Sequence, residues 1–191
     1  MTESSGLNEE RSPQIIVGID GSENSERALD WAIDEAIRWG GEIEAVTAWQ
    51  FPALGVDLPS AGRALHANAI SSAQNMVDRA TEQKESGLAA DTSMPPIRVS
   101  AYLSDPAERL IALSQGADLV VVGSRGNGGF RSLLLGSVSH KVVTHAQCPV
   151  VVVPVTAADE ELSSIDRFSV EHPDVVRTVD DVSRHLSAMG L

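Results

Sequence analysis

Basic residues are scarce: 14 Lys and Arg stand against 27 Asp and Glu, a formal net charge of −13 over 191 residues. A field of that sign repels nucleic acid and anionic membrane, because binding a phosphate backbone needs a basic face. An anionic ligand must then be gripped locally, by backbone amides and one or two cations. Cysteine is nearly missing too. Cys148 stands alone, which excludes an intramolecular disulfide framework and a CxxC metal site. Its place before Pro149 and a valine run suits a small core residue better than a redox switch. No apolar run approaches the roughly 20 residues of a membrane helix. The opening MTESSGLNEERSPQ is polar and acidic, unlike a signal peptide, so the cytoplasm is the expected compartment.

What is present is an alternation of buried strands and amphipathic helices in a chain 42% hydrophobic. Residues 1–13 are polar and read as a disordered tail. Ile15–Ile19 is a short apolar run, a strand, followed by the turn Asp20-Gly21-Ser22. A helix over Glu23–Trp39 places Ala28, Leu29, Ala32, Ile33, Ala36 and Ile37 on one face, and Gly40 stops it. The scheme then repeats. A strand at Ile43–Trp49 and a loop over Phe51–Gly62 precede a helix at Arg63–Ser86, with Leu65, Ala69, Ala73, Met76 and Ala80 at helical spacing. A third strand, Ile97–Leu103, leads to a helix marked by Asp105 at the N-cap, Pro106 at N1 and Glu108 at N3, running to about Gln115. Leu119–Val122 is a fourth strand, Ser137 to Ala146 a helix, and Val150–Val153 a fifth strand. Such alternation argues for an α/β fold: a five-stranded parallel sheet with helices on both faces, over residues 14–155.

The chemistry concentrates in the connection Gly123–Ser137, which leaves one buried strand and enters a helix. Ligands of open α/β sheets bind beyond the carboxyl ends of the strands. Glycines there let the backbone approach a ligand and turn N–H groups inward. Gly136-Ser137 opens the next helix, whose first N–H groups and dipole favour an anion, and Ser137 adds a hydroxyl. The glycines lack the GK[ST] ending of a P-loop, and Phe130-Arg131 breaks a GxGxxG fingerprint.

The spacing Gly123-x2-Gly126-x9-Gly136-Ser137 resembles the G-2x-G-9x-G-(S/T) pattern of ATP-binding universal stress proteins. Three further segments resemble that family in order: Ile16–Ser22, Asp118–Gly126 and Cys148–Val153, and Leu135–Ser139 agrees as well. The resemblance spans residues 14–154. It implies an open sheet in the order 3-2-1-4-5, like that of adenine nucleotide alpha-hydrolases, with Asp20 and Gly123 across one crevice. It implies ATP as the ligand, with or without Mg²⁺. Asp20 would bond the ribose or adenine edge, and Gly18, Ile19 and Ala48 would line the adenine slot. Gly123, Gly126, Gly136 and Ser137 would hold ribose and phosphates, with Val122, Ser124, Arg125, Asn127, Gly128, Gly129 and Val138 completing the binding segment. Arg125 and Arg131 are candidate phosphate cations. Gly136→Ala is the sharpest expected substitution, its methyl entering the backbone–phosphate contact. A homodimer paired through the last strand, Val150–Val155, is also implied; that edge would otherwise lie open.

Other residues point elsewhere more weakly. His140 and His145 lie five apart and do not share a helix face, which argues against a metal pair. Trp31, Trp39 and Trp49 read as packing residues, although Trp49 could edge the adenine slot. Residues 156–191 contain an acidic linker and a helix from Pro173 to about Met189 whose stripe Val175, Val179, Val182, Leu186 and Met189 could dock on its own domain or dimer mate, or on another protein. The expected function is a nucleotide-dependent regulator of a stress response. A slow ATPase or phosphotransferase needs a positioned water and a Mg²⁺ ligand that the sequence does not point to. A cyclic-AMP binder and a nucleotide-free interaction module are the remaining alternatives.

Overall fold

A computed structural model describes residues 11–50, 58–89, 92–126 and 135–155. The chain divides into two units, Met1–Pro154 and Val155–Leu191. The expected N-terminal tail up to residue 10 and the helix at 173–189 lie outside the described residues.

Five parallel strands form one sheet in the order β3-β2-β1-β4-β5. They are β1 (Gln14–Gly18), β2 (Glu42–Trp49), β3 (Ile97–Leu103), β4 (Leu119–Gly123) and β5 (Val150–Val153). The helices are α1 (Glu23–Trp39), α2 (Leu58–Glu85), α3 (Pro106–Leu113) and α4 (Ser137–His145). Central strands must be apolar on both sides, and they are. Ile15, Val17, Leu119 and Val121 pack with Ala28, Leu29, Ala32 and Ile33 of α1 and with Ala73, Met76 and Val77 of α2. Ile16, Val120 and Val122 pack oppositely, with Leu110 of α3 and Val142 of α4.

Local chemistry sets most boundaries. Ser22 caps α1 by accepting the Ser25 N–H at 3.2 Å. Gly40 ends it at φ 66°, in the left-handed region that favours glycine. Asp105 caps α3 by accepting the Glu108 N–H at 3.0 Å. Three expectations need correction. Helix α2 begins at Leu58, not Arg63. Pro59 falls in its first turn, where a missing N–H has no helical acceptor to lose. Leu65 is 45% exposed, so the buried stripe of α2 starts later, at Ala73. Strand β1 ends at Gly18, although the Ile19 N–H still donates to Val46 O at 2.9 Å.

One buried charge sits in the sheet. Glu44 of β2 is 5% exposed. It accepts from Arg98 at 2.9 Å and from the Tyr102 hydroxyl at 3.1 Å. The Arg109 guanidinium lies 4.2 Å over the Tyr102 ring. Burial by itself pushes the Glu44 carboxyl up, but hydrogen bonds from Ser100, Arg98 and Tyr102 and the Arg98 charge outweigh it and hold the carboxyl below its ordinary value.

Because the folded value is the lower one, Glu44 stabilises the fold above its unfolded pKa, and this is lost as pH falls through the folded pKa. Glu44→Gln should cost roughly 1–2 kcal/mol at pH 7, toward the low end because solvent screens the exposed Arg98. Urea denaturation from pH 7 down to 3 should show the gap between the two proteins closing. A gap of constant size would contradict the assignment.

Candidate functional site

Strands β1 and β4 are sheet neighbours, with Val17 opposite Val121, so the segments leaving their carboxyl ends flank one crevice. The β1 side is a tight turn into α1. Asp20 Oδ1 accepts the Ser22 N–H at 3.0 Å and also the Ser22 hydroxyl. Gly21 supplies the left-handed residue of the turn, at φ 84°. Ser25 braces it, accepting the Asp20 N–H at 3.3 Å and donating to Ser22 O at 2.8 Å. Oδ2 lies toward Gly126, where an added Cβ would overlap it. Asp20 and Gly126 are therefore in direct apposition.

The β4 side is held from behind. Ser124 N–H donates to Val153 O of β5 at 2.7 Å. Its carbonyl accepts the Gly136 N–H at 2.7 Å and the Ser139 hydroxyl at 2.9 Å. Asn24, in the first turn of α1 and 6% exposed, donates to Arg125 O at 3.0 Å and to Ser124 Oγ at 3.4 Å. A Cβ at Gly123 would meet Asn24 Nδ2 at 2.8 Å and Asn24 O at 3.0 Å, so this glycine serves close packing against α1. The cradle is thus partly consumed by its own protein. The Gly136 amide is engaged, whereas Ser137, Val138 and Ser139, first in α4, have N–H groups beyond the reach of any helical carbonyl. Gly136 is the N-cap, without a side-chain capping bond.

A cleft of about 190 Å³ opens between the ends of β1 and β2 and helix α2, lined by Ile19, Asp20, Thr47, Ala69, Ser72 and Met76. Gly18 and Ala48 lie outside the lining of this cleft. Strand alternation explains the difference: Thr47 shares a face with Ala45 toward α1 and α2, and Ala48 shares the opposite face with Val46. Gly18 abuts Leu110, with 3.0 Å from a Cβ placed there to Leu110 Cδ1, on that same far face. Val122 is buried there too. Trp49 packs against His66 of α2, ring centroids 5.6 Å apart and planes tilted by 41°, and is not part of the cleft wall. Arg125 is half-buried at the loop start. Asn127, Gly128, Gly129 and Arg131 lie outside the described residues. Among the described residues no three His, Cys, Asp or Glu side chains gather as metal ligands. Burial, then the Asp118 charge, push the Cys148 thiol up, away from the reactive thiolate. No helix among the described residues is long and apolar enough to cross a membrane.

The strand order and the switch-point crevice define a doubly wound α/β domain of the nucleotide alpha-hydrolase-like fold. A model of the universal stress protein family matches residues 12–154, and the chain belongs to that family. Universal stress protein Rv2005c of Mycobacterium tuberculosis is 38% identical over 138 residues, which cover 72% of this chain and 44% of that protein. The chain thus spans less than half the length of such relatives. Among solved structures, UspA from Lactobacillus plantarum superposes with a TM-score of 0.57 at 23% identity, covering 75% of this chain and 98% of that one. A universal stress protein solved in complex with cAMP gives 0.54 at 26% identity, covering 76% and 99%.

Three glycines of the motif should respond differently to alanine. Gly123→Ala drives a methyl into backbone and should cost roughly 1–3 kcal/mol. Gly126→Ala pushes the Asp20 carboxylate off its Ser22 donors, about 1 kcal/mol. Gly136 has φ −70° and ψ 166°, and its nearest neighbour to an added Cβ is 3.5 Å away, so Gly136→Ala should be near neutral for folding. Urea midpoints of the three variants test the ranking, and equal losses would refute it.

Proposed function

We propose that this universal stress protein binds ATP in the crevice between Asp20 and the segment Gly123–Ser137, and acts as a nucleotide-dependent regulator of a stress response. The observation that carries the reading is the apposition of Asp20 and Gly126. It sets a carboxylate acceptor for ribose or adenine donors beside a glycine-bordered run of amides. The cleft is smaller than the roughly 300 Å³ of a typical small-molecule site, which suits one end of a nucleotide with the phosphates outside it. Ser137 and Val138, at the start of α4, supply phosphate donors. Mg²⁺, where bound, would be held largely by the phosphates. We read it as a regulator rather than an ATPase because hydrolysis needs a positioned water and a Mg²⁺ ligand that the sequence does not point to. Cyclic AMP is the second reading, supported by the relative solved with that ligand.

ATP at 100 times its dissociation constant adds about 2.7 kcal/mol of stability. At roughly 2–4 °C per kcal/mol for a chain of this size, the melting midpoint should rise by about 5–10 °C. Gly136→Ala should keep the unliganded midpoint and lose most of the shift. No shift with ATP, ADP, AMP or cyclic AMP would sink the nucleotide reading.

The same proposal includes a homodimer through Val150–Val155. All four valines of β5 remain half-buried in the single chain, and β5 hydrogen-bonds only to β4 among the described strands. The Pro149 and Val153 carbonyls face β4, accepting from Val120 and Ser124. By alternation Val152 turns its N–H to the open edge. Val152→Pro should convert a sedimenting dimer to monomer at micromolar concentration while leaving the β4 ladder intact. A wild-type protein that sediments as a monomer would refute the pairing.

A further inference from the structure

Two peptide groups behind the crevice are pinned by their carbonyl oxygens. Ser124 O is held by Gly136 and Ser139, and Arg125 O by the Nδ2 of Asn24. The described peptide bonds are trans. In a trans peptide the C=O and the following N–H point in opposite directions. Fixing Arg125 O inward against α1 therefore turns the Gly126 N–H outward, to the open side of the loop. Gly126 is exposed there.

Asn24 is suited to this and to little else. Its amide cannot be reversed, because that would set Oδ1 against the Arg125 carbonyl. Oδ1 is itself buried and finds no partner. A buried acceptor left unpaired destabilises the fold, so an apolar residue would serve packing alone better. We propose that Asn24 is a positioning residue for the nucleotide: it aims the Gly126 N–H at a phosphate oxygen without touching the ligand. The inference rests on the ATP reading above and adds to it the residue that orients one of the anion donors. Asn24 also joins the first turn of α1 to the loop, so the turn holding Asp20 and the amide of Gly126 are set by neighbouring residues of one helix start.

The test compares wild type with Asn24→Asp, which keeps shape but loses the donor, and Asn24→Ala, which removes the polar group. The residual dipolar coupling of the Gly126 N–H in labelled full-length protein reads the peptide's direction without any ligand. Calorimetry reads ATP and adenosine affinity. The expected result is a changed Gly126 coupling in both variants. ATP affinity should fall roughly 10- to 100-fold, the loss of one hydrogen bond to a charged group, with adenosine affinity within about twofold. A merely structural role would weaken both ligands together and overturns the proposal. So does an unchanged Gly126 coupling, whatever the ligands do. Should wild type bind neither ligand while the coupling changes, the nucleotide reading fails and the phosphate role with it, but the control of the peptide by Asn24 stands.

Discussion

Ser124 is where four elements meet. Its N–H completes the ladder to β5, its carbonyl receives the Gly136 amide and the Ser139 hydroxyl, and its own hydroxyl receives Asn24 from α1. The residue is 6% exposed, so each of these bonds is shielded from water. Losing one would leave a desolvated polar group rather than a rehydrated one. The direction of the loop, the entry angle of α4 and the apposition of Gly126 with Asp20 all follow from this junction. The glycine motif supplies room around it; the hydrogen bonds supply direction.

The net charge of −13 makes the direction of backbone groups matter. A strongly acidic protein cannot attract an anion by its general field. It can present oriented amides over a short range, where the local dipoles outweigh distant carboxylates screened by salt. The buried Glu44 shows the same economy of charge on the opposite side of the sheet: a lone carboxylate kept ionised by a ring of donors drawn from one neighbouring strand.

Much of this was legible in the sequence, and the failures have physical reasons. The strand runs, Gly40 and Asp105 announce themselves, because caps and buried strands depend on residues a few positions apart. The glycine spacing located the crevice, and the family resemblance supplied the strand order that brings Asp20 to it. The start of α2 was placed too late, since a proline such as Pro59 is tolerated in the first turn of a helix. Which face of a strand each residue serves is harder to read, because a shift of one position along a strand reverses the side chain. Asn24 could not be found at all. In the run Asp20–Ser25 it reads as one more polar residue in a helix start, and its partner lies 100 positions away.

That separation has a consequence in time. A ribosome adding roughly 5–20 residues per second needs about 5–20 s to travel from Asn24 to Ser124. Throughout that interval the emerging chain carries one wall of the crevice and no second one. Strand β1 waits as well, since β4 is its neighbour on one side. The crevice is therefore a product of late assembly, and a chain cut short before Gly123 would keep Asp20 yet have nothing to set opposite it.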